Sequence, residues 1–90
     1  MTECCVHGFV SGRVQGVSFR AFTQRTALAA GVTGWARNTA DGRVEVLLCG
    51  EQDAVDRVIA AIHRGPPAAQ VTGVELRDCE PPPHHGFETG

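Results

Sequence analysis

One short stretch, Gly12-Arg13-Val14-Gln15-Gly16-Val17-Ser18-Phe19-Arg20, holds the residue types and spacing most able to do chemistry in this 90-residue chain. Its two glycines let the backbone turn tightly, so that successive amide N–H groups point at one spot. A helix starting at that point adds the positive end of its dipole, and the concavity becomes an anion site. Arg20 would then stand in the first helical turn, where a cation is unfavourable. A bound anion removes the conflict. An arginine at such a place in an arbitrary helix would more simply point to solvent or pair with a surface carboxylate, and the glycine loop is what weighs against that here. Gly34-Trp35-Ala36-Arg37-Asn38 is the second candidate, ending on an amide side chain that can hold a water. From the residues alone, Asn38 fits equally well as a strand-end asparagine bonded to its own turn. Trp35 reads as core.

Both candidates need elements to position them. Alternation from Cys4 to Ser11 predicts a first strand, weakened by Gly8, and the glycine loop follows it. Phe19, Phe22, Ala27 and Ala30 then recur at helical spacing up to Gly31, with Ser18 in place as N-cap. Val32 to Asn38 reads as a second strand, and Asp41-Gly42 turns it into a third over Arg43 to Cys49. Val55, Val58, Ile59 and Ile62 form the apolar stripe of a second helix that ends near Arg64. Val71 to Glu80 is a fourth strand, and the chain from His84 onward reads as a tail in which Phe87 has most to bury. The order βαββαβ predicts an α+β, ferredoxin-like sandwich, an antiparallel sheet covered on one face by two helices. A right-handed crossover makes strands one and two parallel, so Asn38 lands at the same end of the sheet as the glycine loop and Arg20.

Composition excludes more than it proposes. Ninety residues suit one domain, taken as 1–90, and 42% hydrophobic with 20% charged residues is ordinary for a globular fold. The net charge of −2 gives no general field for nucleic acid or an anionic membrane. All eight basic residues are arginine, which rules out Schiff-base lysine chemistry and a lysine-dependent phosphate loop. No leader pattern and no apolar run of the roughly 18 residues needed to span a bilayer is present, so a cytoplasmic protein is expected. Cys4, Cys5, Cys49 and Cys79 lack disulfide or metal spacing and read as small buried hydrophobes. His84 and His85 want a third ligand to make a metal site. Pro81 to Pro83 reads as the end of the fourth strand. His7 and His63 have structural explanations.

The motif GRVQGVxFR at Gly12 to Arg20, with GWxxN at Gly34 to Asn38 and DGxVE at Asp41 to Glu45, strongly resembles the acylphosphatases. The likeness runs from about Val6 to Phe87, and its first motif spans nine positions of fixed spacing. Gly8, Phe9, Ser18 and the final Glu-Thr-Gly depart from the family pattern, whereas Arg20 and Asn38 match it. The resemblance implies hydrolysis of acyl phosphates by a ferredoxin-like domain without cofactor or metal. It further implies that Arg20 binds the phosphate, that Asn38 positions the attacking water, and that backbone amides of Gln15, Gly16, Val17, Ser18 and Phe19 cradle the phosphate. Its partner would be a small acyl phosphate, with no nucleic acid and no membrane, and a monomer is expected. Two rivals have less behind them. An RNA-recognition module would need exposed aromatics on strands one and three, and strand three has none. A non-catalytic, phosphate-binding domain of the kind found within hydrogenase maturation proteins would belong to a much longer chain.

Overall fold

The computed structural model describes residues 3–80 and the backbone of 87–89; the proline run and His84 and His85 singled out above lie outside the described residues. The elements are β1 (Glu3–Arg13), α1 (Phe19–Ala30), β2 (Thr33–Asn38), β3 (Val44–Glu51), α2 (Gln52–Arg64), β4 (Gln70–Asp78) and β5 (Phe87–Thr89). They form one sheet in the order β4-β1-β3-β2-β5. Its four main strands pair antiparallel, as the ferredoxin-like reading requires. The tail expectation is corrected by β5, which adds to the sheet edge as a parallel partner of β2. Three residues between turn-prone neighbours carry no alternation long enough to read as a strand.

Strand periodicity divides the residues between two faces. Val6 and Val10 of β1, Val44, Val46 and Leu48 of β3, and Val32 and Ala36 of the β2 segment bury together with Phe19 and Ala27 of α1 and Val55, Val58 and Ile62 of α2. Both helices therefore lie on one face, and that face is the core. Val55, Val58 and Ile62, at i, i+3 and i+7, are almost completely buried, which accounts for α2. The helix α1 ends on Gly31 in the left-handed region, φ 73°, whose N–H bonds the Leu28 carbonyl.

On the other face Trp35 is half-buried, not in the core as expected. The Arg37 guanidinium lies 3.8 Å from its ring centroid, and Arg43 lies 4.1 Å from that of Phe9. Between these rings His7 packs edge-on to both and meets the Glu45 carboxylate at 2.6 Å. An aromatic–arginine layer thus covers the face that no helix protects.

The cysteines need a larger correction. Cys5 stands directly across from Cys49 in the β1–β3 register, and the two form a disulfide between Cα atoms 4.1 Å apart. That is the close spacing of a non-hydrogen-bonded antiparallel pair. Cys4 is only partly buried and Cys79 is exposed; both keep free thiols whose pKa burial pushes up. Pairing of Cys5 with Cys49 is a consequence of register and cannot be read from spacing in the chain. Closing a loop of 44 residues restricts the unfolded chain, so reduction is expected to lower stability by about 2 to 4 kcal/mol. Urea unfolding with and without reductant checks this, and Cys49→Ala should lose the difference.

Candidate functional site

The loop between β1 and α1 is fixed at both ends. Val14 and Phe19 are each 1% exposed, driven into the core by their apolar side chains. The four residues between them must turn within that span. They do so with Gly16 at φ 73° and Ser18 at φ 62°, both left-handed. Gly16 adopts this conformation freely, while Ser18 is the single non-glycine residue with positive φ among the described residues. Left-handed residues alternating with others turn successive N–H groups toward a common side, the geometry of an anion-binding nest.

Ser18 does occupy the N-cap position of α1, but its side chain makes no capping hydrogen bond. The backbone serves instead, with the Ser18 carbonyl accepting from Phe22 N at 2.9 Å. The Ser18 side chain is therefore not the cap its type predicted. The first turn of α1 contains Arg20 and no acidic residue, in contrast to α2, whose first turn holds Asp53. No acidic side chain of that first turn offsets the positive end of the helix dipole.

Asn38 is the last residue of β2 and is exposed. It pairs with Val44, which pairs in turn with Val10, so Asn38 and the residues leading into the loop stand in one row across the sheet. Gly34 secures the approach of β2 to β3. It sits at φ 141°, and a Cβ there would fall 1.8 Å from the Leu47 carbonyl oxygen. Only glycine fits.

Beyond Asn38 the chain turns through Thr39 to Arg43, a connection longer than the Asp41-Gly42 dipeptide suggests. Thr39 N donates to the Arg43 carbonyl at 2.9 Å, and Arg43 N donates to Thr39 Oγ1 at 3.0 Å. The Asp41 carboxylate accepts from Thr39 Oγ1 and from Arg43 Nε and Nη2, the latter at 2.8 Å. These bonds, Arg43 first and Thr39 second, hold the Asp41 carboxyl down at about 2. Sequence reasoning assigned no role to Thr39, Asp41 as a side chain, or Arg43. It also placed Gln15 only among the loop amides. The Gln15 side chain crosses from the loop to this turn, its Nε2 donating to the carbonyls of Thr39 and Arg43, each at 2.8 Å. The loop that precedes Arg20 and the turn that follows Asn38 are therefore joined directly.

Because the Asp41 shift is downward, the brace it makes is complete above the ordinary carboxyl value of 3.8 and is lost as pH falls through about 2. An NMR titration of the Asp41 carboxyl carbon should have its midpoint near 2. A midpoint near 3.8 would mean the turn is open in solution.

The family model described as acylphosphatase matches residues 6–89. An acylphosphatase of Chromohalobacter salexigens is 59% identical over 90 residues, covering all of both chains. Among solved structures, an acylphosphatase from Coxiella burnetii superposes with a TM-score of 0.93 at 35% identity, over 98% of this chain and 93% of that one. One from Bacillus subtilis gives 0.91 at 34% identity, over 99% of each. A chain that carries the glycine loop, the following arginine and the strand-end asparagine on this sheet, and that matches the family over nearly its whole length, belongs to the acylphosphatase family.

Proposed function

We infer that this chain, acting as a single domain over residues 1–90, hydrolyses the carboxyl–phosphate bond of acyl phosphates with Arg20 and Asn38 as its catalytic residues. The observation that carries the assignment is the placement of the turned loop, pinned by Val14 and Phe19, beside the turn that begins at Asn38. The amides of Gln15, Gly16, Val17, Ser18 and Phe19 would receive the phosphate oxygens, and the Arg20 guanidinium can take two of those oxygens in its planar fork. Charge building on the equatorial oxygens in the transition state is met by donors already in place.

Asn38 holds the attacking water. Its carboxamide oxygen can accept a hydrogen bond from the water and so aim the water oxygen's lone pair at phosphorus, opposite the leaving carboxylate. A carboxylate departs without protonation, so no general acid is needed. Water oxygen forms the new bond to phosphorus, the bond from phosphorus to the acyl oxygen breaks, and the water's proton leaves to solvent through phosphate. The products are a carboxylate and inorganic phosphate. Arginine and amides supply the charge that a divalent cation would otherwise bring, and activity without metal follows.

We place the protein in the cytoplasm as a monomer. No helix among the described residues is long and apolar enough to cross a membrane. On the open face of the sheet, the Arg37 and Arg43 guanidiniums occupy one side of the Trp35 and Phe9 rings, where a nucleic-acid base would otherwise stack.

Hydrolysis of benzoyl phosphate tests the assignment. Arg20→Ala is expected to reduce kcat/KM by about 10³-fold or more, and Asn38→Ala to reduce kcat by about 10²-fold or more. A chelator should leave the rate of the parent unchanged. A parent protein without activity would overturn the enzymatic reading, and loss of activity in chelator would overturn the metal-free chemistry.

A further inference from the structure

Gln15 spends both hydrogens of its carboxamide on one target. Its Nε2 reaches the Thr39 and Arg43 carbonyl oxygens at 2.8 Å each. Those carbonyls already accept within the turn, Thr39 O from Gly42 N at 3.3 Å and Arg43 O from Thr39 N at 2.9 Å. Thr39 Oγ1 also lies 3.1 Å from the Arg43 oxygen, but its single hydrogen is shared with Asp41. A carbonyl has two lone pairs, and Gln15 takes the second on Thr39 O and is the nearest donor on Arg43 O. The orientation of the carboxamide is thereby fixed, because the flipped amide would face its own oxygen toward two acceptors. No donor is left over on Nε2 for a phosphate.

We propose that the Gln15 side chain is a positioning residue for the hydrolytic reaction, one that sets the separation between the phosphate-binding loop and the water-holding Asn38. The inference rests on the roles given above to the loop, Arg20 and Asn38. Two backbone units must act on one phosphorus from different sides, and they are not adjacent in the sheet: β1 and β2 are separated by β3. The row Val10–Val44–Asn38 brings them level along the strands. Past the strand ends, where the ladder stops, Gln15 supplies a link between loop and turn. Near-attack alignment of water and phosphorus depends on that separation, whereas phosphate binding by the loop and Arg20 does not.

The experiment is a double-mutant cycle with benzoyl phosphate as substrate and inorganic phosphate as competing ligand. Gln15→Met keeps length and removes both donors. In the parent background it is expected to lower kcat about tenfold with the inhibition constant for phosphate held within about twofold. In the Asn38→Ala background the same change should have no further effect beyond about twofold, because the alignment it protects is already gone. A merely structural glutamine would lower kcat by the same factor in both backgrounds, or weaken phosphate binding in step with kcat, and either result overturns the proposal. The parent also supplies a readout that needs no variant. Both Gln15 carboxamide protons should exchange with solvent more slowly than those of exposed Gln52, and equal rates would mean that the link does not exist. Failure of the enzymatic reading looks different: the parent is then inactive. An Asn38→Ala variant with full activity would remove the water-holding role and this proposal with it, while leaving the hydrolysis itself intact.

Discussion

Burial of Val14 and Phe19 is the constraint on which the site depends. Both side chains are 1% exposed, so the chain must leave the core after one and re-enter it at the other. Four residues are too few for a relaxed path, and left-handed geometry at Gly16 and Ser18 closes the turn. Glycine adopts φ 73° at no steric cost, but Ser18 at φ 62° carries a conformational cost of about 1 kcal/mol. The hydrophobic stabilisation of the two buried residues, on the order of 1.5 to 3 kcal/mol each, is large enough to hold it. The turn that carries the proposed amide donors is thus kept in place by the burial of two apolar side chains.

The same logic explains how so small a chain with a net charge of −2 handles a phosphate. In the proposed mechanism the positive potential is made locally, from amide dipoles, a helix start and one arginine, with no acidic residue in that first turn to cancel it. The acyl phosphate does the rest, since its leaving group needs no acid. What remains is alignment, and alignment is mechanical. It comes from the row that joins Val10, Val44 and Asn38, and from the turn at Thr39 to Arg43 with its own bonds and its Asp41 brace.

Local features of the sequence were the readable ones. The glycine loop, the stripe of Val55, Val58 and Ile62, the Asp41-Gly42 turn and the alternation of β1 each depend on neighbours within a few residues, and all are found in the structure. The crossover argument that set Asn38 at the loop end needed only handedness, and the register agrees with it. Apart from the Thr39–Asp41–Arg43 bonds within one turn, the missed contacts join residues far apart in the chain. Gln15 reaches a turn 24 and 28 residues away, Cys5 bonds a partner 44 residues on, and β5 pairs with β2 from the other end of the chain. Trp35 was misplaced because alternation says which residues share a face but not which face the helices cover. Ser18 was misread for a different reason: its residue type favours a side-chain cap, but the turn between Val14 and Phe19 puts it in a left-handed conformation without one.

The disulfide lies at the opposite end of the β1–β3 ladder from the site, and it bears on the site nonetheless. Val10 lies five positions beyond Cys5, a distance of roughly 17 Å along the strand. At one end of the ladder Cys5 is bonded to Cys49, and at the other Val10 faces Val44. Because strand faces alternate with period two, a slip of one residue would turn Val6 and Val10 out of the core and shift the glycine loop relative to Asn38. A covalent bond between facing residues forbids that slip. Hydrophobic burial already favours the correct register, and in the oxidised protein the cross-link makes it the only one open to β1 and β3. Gln15 then acts where neither device reaches, beyond the strand ends. The loop and the turn are held in depth by buried side chains, along the strands by register, and to each other by one carboxamide.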